Sequence, residues 1–151
     1  MNIKKALLAG IAAAVTLIVV SMISGFTIHG MMLNDLYEQT ASFWRPMVKT
    51  QPMTQFFICL NSANVVAGLV LGFLYAWVQG GFTGSPAARG FKFGLLVWIL
   101  SLLSLMSSSI VFDLPLQIYF GWALDHLLLT VIPGIVLGAV YGSPSRRPMM
   151  A

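Results

Sequence analysis

The run LQIYFGWALDHLLLTVIPGIVLGAVY, residues 116–141, decides how the chain is read. Apart from Asp125 and His126 it holds no charged or imidazole side chain, and it exceeds the roughly 20 apolar residues a helix needs to cross a hydrocarbon core. Three comparable runs precede it, at about 6–28, 55–78 and 91–112. Together they leave the 151 residues no room for a separate soluble domain. Composition agrees: 58% of residues are hydrophobic and 8% charged, where a soluble domain carries about 25% charged residues. Mean hydropathy is +0.89. The expected fold is all-α, an integral membrane four-helix bundle in which residues 1–141 form a single transmembrane domain.

The first run follows Lys4 and Lys5 as a signal peptide would. It is too long for one, since a cleavable apolar region spans about 7 to 15 residues, and Ser24, Gly25, Phe26 and Thr27 offer no A-x-A-like site. It is therefore read as a retained span. Residues 36–54 contain Glu38, Gln39, Arg45, Pro46, Lys49 and Pro52, which lipid would not tolerate, so they form the long outer loop. Phe43 and Trp44 suit the headgroup region there. The run Gln79 to Pro86 is a turn, Asp113, Leu114 and Pro115 make a tight connection, and residues 142–151 read as a disordered cytoplasmic tail.

The pI near 9.6 does not point to nucleic acid, because the basic residues sit in pairs between apolar runs. Lys4, Lys5, Arg89, Lys92, Arg146 and Arg147 fall on one side, and Arg45 and Lys49 on the other. The positive-inside rule then places both termini in the cytoplasm. Cys59 is the only cysteine, which removes an intramolecular disulfide, a CxxC redox pair and a thiolate metal cluster.

The stretch Ala67-Gly68-Leu69-Val70-Leu71-Gly72-Phe73-Leu74-Tyr75 is echoed by Pro133-Gly134-Ile135-Val136-Leu137-Gly138-Ala139-Val140-Tyr141. Two helical hairpins arranged as parallel repeats would produce such an echo, and so would convergence on a packing motif. Gly68 and Gly72, like Gly134 and Gly138, lie one turn apart on one helix face, where a neighbouring backbone can approach closely. Packing within the bundle is the expected use, with a dimerisation face as the alternative.

Asp125 and His126 are the sharpest feature, since an Asp at mid-membrane costs about 2.5 to 3.5 kcal/mol on insertion scales. Counting rise along the helices puts them in the outer half of the membrane. Asn64, with Asn61 one turn away, comes to a similar height, as do Ser107, Ser108 and Ser109; His29 and Asn34 stand at the outer end of the first span. All four helices thus offer polar groups to one layer, which is either a hydrogen-bonded plug or a pocket open to the outside. The tentative binding residues are Asp125, His126, Asn61, Asn64, His29 and Ser108. His29 and His126 as haem ligands, or His29 with Met31, Met32 and Cys59 as a soft-metal site, lack a spacing signature, so no cofactor or metal is expected. No phosphate loop, nucleophile elbow or paired intramembrane carboxylates are present.

Gly25-Phe26-Thr27-Ile28-His29-Gly30, Arg45-Pro46, Phe73-Leu74-Tyr75-Ala76-Trp77 and Gly90-Phe91-Lys92-Phe93-Gly94-Leu95-Leu96 together resemble a group of small, uncharacterised four-span bacterial inner-membrane proteins. That resemblance implies a bacterial inner-membrane location and four helices, and it supplies no reaction and no role for Asp125 or His126. The function expected is a non-enzymatic structural or accessory subunit acting through helix packing, in a homo-oligomer or a larger membrane complex, with lipid and not nucleic acid around it. The rival is a carrier or sensor of a small solute or proton using the pocket around Asp125, His126 and Asn64.

Overall fold

Asn2 starts the first helix, its side chain accepting the Lys5 N–H at 3.1 Å, and α1 runs Ile3–Ser24. The chain then widens into a π-helical segment, Gly25–Met32, before the short α2, Asn34–Gln39, and a single 3-10 turn, Ala41–Phe43. After that come α3, Met53–Val78, a 3-10 turn at Gln79–Gly81, α4, Pro86–Val111, and α5, Leu116–Gly142. The computed structural model describes residues 1–43 and 53–142, and among these all regular structure is helical. Trp44, Arg45, Pro46, Lys49 and Pro52 of the expected outer loop lie outside the described residues, as does the expected tail beyond Gly142.

Four helical stretches are long and apolar enough to cross a membrane: Ile3–Met32, Thr54–Gly81, Pro86–Val111 and Leu116–Gly142. The third begins at Pro86 rather than near 91. Ser85 caps it by accepting the Ala88 N–H at 3.3 Å, and Pro86 fills the first turn, where its missing N–H leaves nothing unpaired. The expected loop 36–54 likewise starts inside α2, whose end is tied by the Thr40 hydroxyl donating to the Leu36 carbonyl at 2.7 Å.

Small residues decide the packing. A Cβ placed on Gly72 would lie 2.6 Å from the Gly10 Cα and 2.7 Å from the Ala6 carbonyl oxygen, and one on Gly68 would strike the Ala14 backbone. So α3 lies against α1 with almost nothing between the backbones. The second hairpin repeats the scheme: a Cβ on Gly138 would meet the Pro86 carbonyl oxygen and the Gly90 backbone, and one on Gly134 would lie 2.6 Å from the Gly90 oxygen and 3.0 Å from the Gly94 Cα. Ala6, Gly10 and Ala14 of α1 thus correspond to Pro86, Gly90 and Gly94 of α4. The glycine faces serve packing within the chain.

The two hairpins join differently along their two seams. Ala9 and Ala13 of α1 are fully buried, and α1 packs closely on α5. The matching positions on α4 hold Arg89 and Phe93, which stand between α4 and α3. Phe93 meets Tyr75 edge to face at 5.3 Å, and the Arg89 guanidinium donates to the Gln79 side chain at 2.8 Å. The helices therefore lie in the contact order α3, α1, α5, α4, with α3 and α4 meeting through bulky side chains near the turn that connects them. Tyr75 and Tyr141, which end the two echoed stretches, touch edge to face at 5.9 Å, and the Tyr141 hydroxyl accepts the Asn2 N–H at 3.2 Å.

Overpacking a close-packed contact by a methyl group costs about 1 to 3 kcal/mol. Gly72→Ala and Gly138→Ala should each lower the thermal unfolding temperature of the purified protein in mild detergent. Gly80→Ala, where an added Cβ meets nothing within 4 Å, should leave it within error. Equal tolerance of all three substitutions would show that the seams do not hold the bundle.

Candidate functional site

The buried positions of the first span follow helical spacing through Leu17, Val20, Ser24 and Ile28, and then the interval lengthens to five residues before Leu33. The π-helical segment accounts for that extra residue, with the Leu33 N–H donating to the Ile28 carbonyl at 3.0 Å across one wide turn. Leu33 thereby packs on Gly121, where a Cβ would approach its Cδ1 to 2.6 Å. The same segment carries His29 to the face that meets α5.

There the His29 ring faces Asp125, its Nε2 3.5 Å from Oδ2, a long approach for a hydrogen bond. On its other side Nδ1 is 2.7 Å from the Tyr37 hydroxyl, and the two rings stack with centroids 6.0 Å apart. Trp122, one turn before Asp125 on α5, donates its indole N–H to the same hydroxyl at 2.8 Å. An indole N–H can only donate, so the Tyr37 oxygen accepts from Trp122, and the same hydroxyl shares a hydrogen bond with His29 Nδ1.

Ser24, 2% exposed, stands beside the carboxylate. Its hydroxyl is 3.5 Å from the Ser21 carbonyl, a long contact, and within hydrogen-bonding reach of the Asp125 carboxylate, whose Oδ1 is enclosed. The Asp125 side chain is 13% exposed and that of His29 34%. Next to them lies a cavity of about 730 Å³ between α1 and α3, whose polar wall is formed by Ser21, Ser24, His29 and Asp125.

The expected polar layer is therefore divided. His29 and Asp125 come together. Asn64 reaches the same region by donating to the Ser21 hydroxyl at 3.0 Å rather than to Asp125. His126 does not share the Asp125 network: its carbonyl accepts from Thr130 at 2.8 Å, and its ring makes no hydrogen bond among the described residues, because neighbouring positions on a helix point about 100 degrees apart. Asn61 lies on the far side of α3, with its Oδ1 buried and unpartnered, along a groove with Thr54 and Ile58. Ser108 returns its proton to the Ser104 carbonyl of its own helix at 2.9 Å. Asn34 donates to Glu38 at 3.2 Å on an exposed surface.

Sequence reasoning missed Tyr37, Trp122, Ser21 and Ser24. Trp122 had a signal, since it stands three residues from Asp125 and so on the same face. Tyr37 had none, because its approach to His29 depends on the π-helical turn and on α2. The chain matches no family model, no curated protein and no solved structure.

Tyr37 lies beyond Ile3–Met32, the first stretch long and apolar enough to cross a membrane. Burial raises its phenol above the ordinary value of 10.0; the Trp122 N–H pulls it down, and the Asp125 charge adds to the rise. The folded state thus keeps a proton that the unfolded chain would release. The resulting stabilisation is complete below pH 10.0 and is lost as pH climbs above it. Tyr37→Phe should flatten this alkaline fall in thermal stability and, at neutral pH, cost about 1 to 3 kcal/mol by leaving the Trp122 N–H and His29 Nδ1 without their partner. An alkaline profile identical to that of the parent protein would refute the buried phenol.

Proposed function

We propose that the chain is a small, non-enzymatic, multi-pass protein of the bacterial inner membrane, with both termini cytoplasmic, that holds a small solute in the cavity beside Asp125 as a carrier or sensor. The observation that carries this reading is the Asp125 carboxylate in the wall of a cavity of about 730 Å³. A carboxylate inside an apolar bundle is costly and is retained where something pairs with it. A closed plug would leave no space beside the carboxylate, whereas here a cavity adjoins it. The accessory-subunit reading drew on the glycine faces, and these are occupied by contacts within the chain.

Orientation rests on the basic residues. Lys4, Lys5, Arg89 and Lys92 lie at the end of the bundle that carries the termini, so the cavity falls in the outer half. A reporter active only in the periplasm should be silent when fused after Ala151. Strong activity there would reverse the assignment.

The open cavity is tested by thiol labelling. Gly25 lines it, and an added Cβ at that position meets nothing within 4 Å. In a Cys59→Ser background, Gly25→Cys should react with N-ethylmaleimide at least tenfold faster than Leu137→Cys, which sits in the closed core, because a thiolate forms where water reaches. Equal rates at the two positions would mean a sealed plug and would end the solute-binding reading.

A further inference from the structure

Opposite its polar wall the cavity is closed by Met22, Phe26, Phe56, Phe57 and Leu60. Met22, Phe26 and Phe57 are exposed on the outside of the bundle, so the opening faces the surroundings between α1 and α3, where the apolar helices meet lipid. An occupant entering there must itself have an apolar part.

Its polar part is specified by Asp125. The carboxylate lines the cavity, with its side chain 13% exposed, and His29 and Ser24 stand beside it and orient it. Among the described residues no Lys or Arg side chain lines the cavity. A carboxylate in an apolar wall repels an anion and pairs best with a cation. A bare metal ion needs several oxygen or nitrogen ligands, and no group of three His, Cys, Asp or Glu side chains converges among the described residues. Aromatic rings add the remaining preference. Phe56 and Phe57 stand edge to face at 5.6 Å in the cavity wall, and aromatic faces attract cations. A volume of about 730 Å³ also lies within the range that suits small organic ligands.

We propose that this cavity binds a protonated amine carried on an apolar body, with the ammonium N–H donating to the Asp125 carboxylate and the body packed among Phe26, Phe56, Phe57 and Leu60. This inference rests on the reading of the cavity as a solute site and names the class of solute. The same chemistry has two sources, a free amphiphilic amine and the amine headgroup of a phospholipid.

The test uses the full chain in phosphatidylcholine nanodiscs, with calorimetric titration of octylammonium, octanol and octanoate after subtraction of empty discs. Octylammonium should bind saturably, and octanol and octanoate should not. Asp125→Asn should weaken octylammonium at least tenfold. Leu60→Trp, which fills the cavity and leaves the carboxylate in place, should do the same, and it supplies the comparison if Asp125→Asn fails to fold. Discs containing phosphatidylethanolamine separate the sources: competition with octylammonium, together with phosphatidylethanolamine retained by the parent protein and lost from Leu60→Trp, identifies the headgroup, and no competition identifies a free amine. Octylammonium binding no tighter than octanol, or unaltered by both substitutions, overturns the proposal. If rapid labelling of Gly25→Cys persists in that case, the cavity is a site for another class of solute; if labelling is also absent, the solute-binding reading fails with it.

Discussion

Everything in this bundle depends on backbones being allowed to touch. In lipid there is little hydrophobic gain in bringing two apolar helices together, so dispersion at short range must hold them. Gly68 and Gly72 against Ala6, Gly10 and Ala14, and Gly134 and Gly138 against Pro86, Gly90 and Gly94, remove the side chains that would keep the helices apart. Each hairpin is therefore a close-packed unit before it meets the other. The matching positions on the two hairpins explain why the echoed stretches Ala67 to Tyr75 and Pro133 to Tyr141 read alike: both face a first helix with the same spacing of small residues.

The difference between the hairpins is as consequential as their likeness. Ala9 and Ala13 let α1 settle on α5, whereas Arg89 and Phe93 hold α4 away from α3. Polar side chains from α1, its π-helical extension, α2 and α5 consequently meet along the tighter seam. The serines of α4 remain apart from them, with Ser107, Ser108 and Ser109 each returning its proton to a carbonyl of its own helix, which is how hydroxyls are accommodated without a partner helix.

Along that seam the cost of burying a carboxylate shapes the neighbouring elements. The extra residue of the π turn aligns His29 and Leu33 with α5, and α2 folds back to bring Tyr37 between His29 and Trp122. Trp122 and His29 thus share the Tyr37 hydroxyl, and His29 and Ser24 flank the carboxylate at the edge of the cavity.

Four apolar runs, their helical state and the close approach that the glycines allow were legible in the sequence, because each depends on local composition and on the fixed period of a helix. The start of α4 was misjudged only by its cap, where Ser85 and Pro86 extend the helix beyond the apolar run. Which groups surround Asp125 could not be read in this way. His126 is adjacent to it in the chain yet turned aside, while His29, Tyr37 and Ser24 come from elements distant in sequence. Their convergence depends on one additional residue in a helical turn and on which seam closes, and periodicity carries no information about either. Composition determined that the chain is a set of membrane-length helices; only the tertiary packing decided which polar side chains meet, because partnership between helices is set by contact geometry and not by spacing along any one of them.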